Sequence, residues 1–170
     1  PDPDANYKAT HRIDVARLEP QVVLPGKVPS NVKMVREVMD VKIDQAFIGS
    51  CANARLEDLA LVARMVAGRQ VAPGVRLIVT PGSQTTYLDA VKAGYITTLV
   101  EAGAVVTNST CGACFGGPMG MIGDGEVCIS ASTRNFQGRM GSPKSQVYLG
   151  SPAVVAASAL KGHIADPRDV

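Results

Sequence analysis

The chain has 170 residues, 46% hydrophobic and 19% charged, with 17 basic and 15 acidic side chains and a formal net charge of +2. That is enough for one sizeable globular domain with its own core, and the mixed charges give no support for binding nucleic acid or a membrane surface. An aromatic content of 4% without Trp speaks against stacking on bases, and no apolar run reaches the roughly 18 residues of a membrane-spanning helix. No segment reads as a signal peptide, and four cysteines are sparse for a disulfide scaffold, so reduced thiols in the cytoplasm are expected. A start at Pro1 in place of Met reads as a piece of a longer protein.

Along the chain, residues 1–40 read as a connector and N-terminal extension. Asp14–Leu18 fits a short strand or turn. Pro20, Pro25 and Pro29 punctuate an extended stretch, and Ser30 is placed to cap a short helix through Val38. A regular pattern begins at residue 41. Lys42–Ile48 reads as a buried strand. Leu56, Leu59, Ala60, Ala63, Val66 and Ala67 recur at helical spacing and Gly68 closes that helix. Arg76–Thr80 is a second strand. Ser83 caps a helix ending near Gly94, and Ile96–Ala102 is helical. Ala104–Thr107 and Glu126–Ser132 are further strands, and Ser151-Pro152 opens a last helix stopped by Gly162. Strands alternating with helices predict an α/β domain over residues 41–170, a mostly parallel sheet sandwiched by helices. Ligands of such sheets bind outside the carboxyl ends of the strands. Cys51 follows the first of these strands, Cys111 and Cys114 the third, and Arg134 the fourth, so four chemically distinctive positions are expected on one edge.

The cysteine loops read Gly49-Ser50-Cys51-Ala52-Asn53 and Cys111-Gly112-Ala113-Cys114-Phe115-Gly116-Gly117. A C-x-x-C pair alone fits a redox dithiol, half a zinc site or part of an iron–sulfur site. A redox pair normally opens a helix, whereas Gly116, Gly117 and Pro118 resist one. A structural zinc site wants four ligands, and the remaining Cys128 lies inside a strand, where it reads as a small core residue. His11 and His163 lie outside the loops and read as surface or packing residues. Three thiolates suit a four-iron cubane with one iron left open to water or substrate, while glycines let the backbone approach and offer N–H groups to its sulfides. Arg134 and Arg139, five residues apart in a loop with Gly138, suit bidentate recognition of carboxylates. Asn53 can orient a ligand or the cluster, or cap the helix starting near Arg55.

Taken together, GSCAN at 49–53, CGACFGG at 111–117 and RNFQGRMG at 134–141 resemble the aconitase superfamily. The opening Asp2-Pro3-Asp4-Ala5, the Glu19–Val22 stretch and the end from Ser151 through Arg168 share the resemblance, which covers essentially the whole chain. It implies an aconitase-type α/β/α domain, the third of a large subunit, carrying a [4Fe-4S] cluster on Cys51, Cys111 and Cys114. It also implies a hydro-lyase acting on a 2-hydroxy di- or tricarboxylate, with Arg134 and Arg139 on the carboxylates. No catalytic acid or base is assigned within these residues. Those groups are expected from missing N-terminal domains of the same subunit and from a small-subunit partner, a swivelling domain. Four positions depart from the family pattern: Ala52 where Thr is usual, Ala54 for Gly or Ser, Ala113 for Pro, and Thr133 for Asn. They leave the ligands intact and bear on which hydroxy acid is used. The alternative of another class is a non-catalytic domain whose thiols hold zinc structurally or whose surface binds a partner.

Overall fold

The computed structural model describes residues 2–26 and 30–170, so Pro29 lies outside the described residues. Seven strands form one sheet: β1 Gln21–Val23, β2 Val32–Met34, β3 Gln45–Gly49, β4 Arg76–Thr80, β5 Val105–Val106, β6 Val127–Ser130 and β7 Gln146–Gly150. The α-helices among the described residues are α1 Leu56–Val66, α2 Gln84–Lys92, α3 Tyr95–Glu101 and α4 Pro152–Lys161. The sheet order is β2-β1-β7-β6-β3-β4-β5. Strands β3 to β7 are parallel, and β1 runs antiparallel to both β7 and β2.

Helix starts and stops follow from local chemistry. The Ser83 hydroxyl accepts from the Thr86 N–H at 3.1 Å, and the Ser151 hydroxyl accepts from the Val154 N–H at 3.3 Å. Pro152 sits in the first turn of α4, where its missing N–H costs no bond, and Gly162 ends that helix with φ +78°. On α1 the buried residues Leu59, Val62, Ala63 and Val66 form the stripe that faces the sheet.

The strand pleat divides the core in two. Ala46, Ile48, Leu77, Val79, Ile129 and Tyr148 belong to a large core with Leu59 and Val62 of α1, Leu99 of α3 and Val155 and Ala159 of α4. On the opposite face, Phe47, Ile78, Cys128 and Val147 pack against Ala113, Ile122 and Met140, which belong to loops. The α/β reading therefore holds with a difference in layering. Helices cover one face, and among the described residues loop segments cover the other. The physical reason lies in the connections. The 107–126 and 131–145 segments carry eight glycines and two prolines, and they cross that face as turns, bends and a single 3-10 turn, Gly112–Cys114.

The helix expected from Ser30 through Val38 does not form. Residues 32–34 pair with β1, and Val35–Glu37 is a 3-10 turn in which the Glu37 carboxylate accepts from the Met34 N–H at 2.8 Å. Val35 is buried and its N–H donates to the Pro20 carbonyl at 2.9 Å. Strand pairing to a neighbour distant in sequence outweighs a weak local helix preference. Part of the segment read as a connector thus adds two strands to the sheet edge. Strand β7 had no counterpart in the sequence reading. Asp14–Leu18 is a turn, with Asp14 accepting from the Ala16 N–H at 3.1 Å. A buried carboxylate, Asp166, ties the C-terminal residues to this N-terminal part. It accepts from Arg168 at 2.7 Å and Arg36 at 3.3 Å, and Arg168 also reaches Glu19 at 2.5 Å.

Candidate metal centre

Three loops leave the carboxyl ends of parallel strands on one edge. The strand order reverses between β3 and β6: the chain runs from β3 outward to β4 and β5, then returns to β6 on the other side. The crevice beyond these two strands is where open α/β sheets place ligands.

The first loop begins at Gly49, where a Cβ would lie 2.6 Å from the Phe47 ring. Ser50 follows with φ +63°, the one non-glycine residue in the left-handed region among those described. Such a backbone costs about 1 kcal/mol or more and persists only where neighbours hold it. Here Ser50 is buried and its N–H donates to the Thr80 carbonyl at 3.1 Å. The turn it makes leaves Cys51 exposed as a free thiol.

The second loop leans on the same Thr80. Gly112 has φ +53°, and a Cβ on it would come within 2.3 Å of the Thr80 hydroxyl oxygen. The Thr80 hydroxyl pairs with that of Thr107 at 2.8 Å, and the Gly112 N–H donates to the Thr110 hydroxyl at 2.9 Å. Thr80 therefore anchors the loops of both Cys51 and Cys111, through its carbonyl to one and its side chain to the other. Sequence reasoning missed this role. The available signal was its place as the polar last residue of a buried RLIVT strand. Cys111 is exposed, Cys114 half-buried, and both are free thiols. The Ser109 hydroxyl, two residues before Cys111, is buried without a hydrogen-bond partner among the described residues.

The third loop follows β6. Asn53 donates its side-chain amide to the Ala131 carbonyl, so it ties the first loop to the third across the crevice. It does not cap α1, whose first turn is closed by Asp58 accepting from the Arg55 N–H at 3.1 Å. The Ser130 and Ser132 hydroxyls bond each other at 2.8 Å beneath the loop. Arg134 is exposed and donates only to the adjacent Thr133 carbonyl, at 2.9 Å, among the described residues. Arg139 is half-buried. It donates from Nε to the Cys114 carbonyl at 2.9 Å and from Nη2 to the Cys114 sulfur at 3.5 Å. Asn135, between the two arginines, is buried and donates to the Leu24 and Val147 carbonyls at 2.9 Å each, which fixes the loop to β1 and β7.

The fourth cysteine stands apart. Cys128 is fully buried in the loop-covered core, 3.9 Å from the Gln45 amide, and burial pushes its thiol up to about 12. A thiol held neutral in a core is a poor metal ligand. His11 is exposed, and His163 bonds the Ile164 carbonyl at 3.0 Å, away from the cysteine loops. Among the described residues no group of three or more His, Cys, Asp or Glu side chains converges as it would on a single metal ion. A cubane makes a different demand, since each thiolate takes its own corner. Three free thiols on loops narrowed by glycines fit that demand in their chemistry.

Three free thiols and two arginines thus stand on loops at one edge of an open α/β sheet. The family is shown by comparison with known proteins: the profile of the aconitase family (aconitate hydratase) matches residues 1–162, and the chain belongs to that family. Among curated relatives, the chain is 59% identical over 169 residues to the 3-isopropylmalate dehydratase large subunit of Mycolicibacterium smegmatis. It is 56% identical to the protein of that name from Wolinella succinogenes and 52% identical to that from Moorella thermoacetica. Each alignment covers 98–99% of this chain and 40% of the relative, so the chain spans about 40% of the length of these proteins. No helix among the described residues is long and apolar enough to cross a membrane.

Proposed function

We propose that this chain is the cluster-bearing part of a [4Fe-4S] hydro-lyase acting on a 2-hydroxy di- or tricarboxylate, with 3-isopropylmalate the favoured substrate. Cys51, Cys111 and Cys114 would hold the cluster, and its bearer would be residues 41–170 with the β1–β2 hairpin against β7. The observation that carries the reading is the shared edge: two cysteine loops rest on Thr80 and the third loop returns a guanidinium to Cys114. The names of the relatives support the dehydratase assignment.

When bound, such a cluster supplies a Lewis-acidic iron with one position open to substrate. The chain's own residues do the rest of what this part can do. Arg134, tied only to its neighbour among the described residues, would take a substrate carboxylate bidentately. Arg139 keeps the Nη edge of its guanidinium for a second carboxylate. Asn53 and Ser50 hold the loop of Cys51 against β6 and β4. Proton-transfer groups would come from the other domains of the subunit and from a small-subunit partner, in the cytoplasm. A homoaconitase or a dimethylmalate-type dehydratase would use the same edge, and Ala52, Ala54, Ala113 and Thr133 are the positions that bear on this choice.

The test is turnover by the full-length subunit, reconstituted anaerobically with iron and sulfide and mixed with its small subunit. The ultraviolet absorbance of the unsaturated acid should rise with isopropylmalate. Turnover confined to homocitrate or dimethylmalate would move the assignment within the family. A fully loaded complex inactive on all three would overturn the substrate class.

A further inference from the structure

Arg139 does two things that Arg134 does not. Its backbone N–H donates to the Phe136 carbonyl at 3.1 Å, and its guanidinium lies over the Phe136 ring, 5.2 Å from the ring centre. That stacking fixes the plane of the group. One edge of the plane, Nε and Nη2, then faces the Cys114 carbonyl and sulfur. The loops concerned also touch without this side chain. A Cβ at Gly116 would lie 2.8 Å from the Met140 carbonyl carbon, and the Ile122 N–H donates to the Met140 carbonyl at 2.8 Å. Backbone packing therefore brings the two loops together at Gly116 and Met140. What Arg139 adds is a tie to the Cys114 carbonyl and a fixed positive charge on its sulfur.

We propose that Arg139 is a positioning residue for Cys114, holding the carbonyl and sulfur of that cysteine with one guanidinium edge while the other edge receives a substrate carboxylate. The two arginines then divide the work. Arg134 is an anchor for substrate alone, whereas Arg139 links the bound carboxylate to one cluster ligand through a single rigid group. This inference rests on the cluster reading above. An N–H···S bond stabilises negative charge on a thiolate, and hydrogen bonds to the sulfurs are among the determinants of cluster potential. Removing it should make the cluster harder to reduce and easier to lose.

The test uses the full-length subunit with its small-subunit partner and three variants: Arg139→Gln, Arg139→Lys and Arg134→Gln. The readouts are the midpoint potential of the reconstituted cluster, the rate of iron release to a chelator, KM, and amide hydrogen exchange over 111–117 in the metal-free subunit. Arg139→Gln should lower the potential, speed iron release about 10-fold, raise KM and speed exchange in the 111–117 loop. Arg139→Lys should restore part of the KM but not the iron retention, because one ammonium cannot bridge carbonyl and sulfur in that fork. Arg134→Gln should raise KM and leave potential, iron release and exchange at their wild-type values. Wild-type potential and iron release in Arg139→Gln, with KM raised, would overturn the inference and leave the cluster reading intact. If the wild-type subunit takes up no iron, the cluster reading fails and any coupling of Arg139 to a cluster fails with it; unchanged loop exchange in the metal-free variant would overturn the positioning role as well.

Discussion

The two faces of the sheet are built differently. On one, Ile48, Val79 and Ile129 pack against the apolar stripes of α1, α3 and α4. On the other, Phe47, Ile78 and Cys128 lie under loops that contribute Ala113, Ile122 and Met140. Helices bring dense, preorganised side-chain packing. The loops bring glycines and backbone contacts, such as Gly141, where a Cβ would lie 2.4 Å from the Ile122 carbonyl oxygen. The lesson is a separation of tasks: the helix face supplies most of the apolar burial, which leaves the loop face free to present thiols and guanidiniums. The loop-covered side also divides its cysteines between core and strand ends. Cys128 is sealed in the core, whereas Cys51 and Cys111 are exposed at strand ends.

That contrast can be broken at several points. Leu59→Ala, on the helix face, should cost about 4 kcal/mol, because a rigid helix cannot collapse onto the gap; Met140→Ala, under loops, should cost about 2 kcal/mol. Urea denaturation measures both, and equal losses would mean that the loop face is packed as firmly as the helix face.

Asp166→Asn should cost about 2 kcal/mol by weakening the charge-assisted hydrogen bonds that the buried carboxylate accepts from Arg168 and Arg36, while half-exposed Arg168 keeps Glu19. The Arg168 guanidinium, with further hydrogen bonds from the Arg168 N–H and Arg36, holds the Asp166 carboxyl well below the usual carboxylate range. A depressed carboxylate contributes stability that is present above its unfolded value and is lost as pH falls through the folded one. The wild-type melting temperature should therefore fall with acid below about pH 4, and the Asn variant should show a shallower slope. Parallel slopes would remove Asp166 from the account.

Cys128→Ser should cost about 1–2 kcal/mol by burying a hydroxyl where a thiol packed. It should leave iron uptake unchanged, and native Cys128 should resist alkylation while the three loop thiols of metal-free protein react. Cys51→Ser, at an exposed position, should change stability by less than about 0.5 kcal/mol and abolish the cluster. A melting curve and an iron assay on the same two samples separate stability from ligation. Iron loss in Cys128→Ser would contradict the division between a packed core thiol and ligands on the loops.

Much of this was legible in the chain. Arg76–Thr80, Ser83 as the cap of α2, and Pro152 and Gly162 as the ends of α4 stand where caps and apolar runs place them. These elements are set by local chemistry. What escaped the sequence depends on distant partners. Val32–Met34 is a strand only because β1 lies beside it, and Gln146–Gly150 becomes one by filling the place between β6 and β1. The same holds at the site. The loop positions of Cys51, Cys111 and Cys114 could be read from the strands before them. That Thr80 anchors two of the loops, that Asn53 reaches Ala131, and that Arg139 turns back to Cys114 are contacts between segments 25 to 78 residues apart, with no local signature.

We propose that the three loop thiols hold a cluster with one iron left open. Anaerobic reconstitution of the full-length subunit with iron and sulfide, with metal analysis and electron paramagnetic resonance, tests it most directly. The expected result is about four irons per chain, a three-iron signal on mild oxidation as the one iron without a Cys ligand leaves, and no cluster when Cys51, Cys111 or Cys114 is changed to Ser. No iron uptake by the wild-type subunit, or uptake that survives loss of any of these three cysteines, would contradict it.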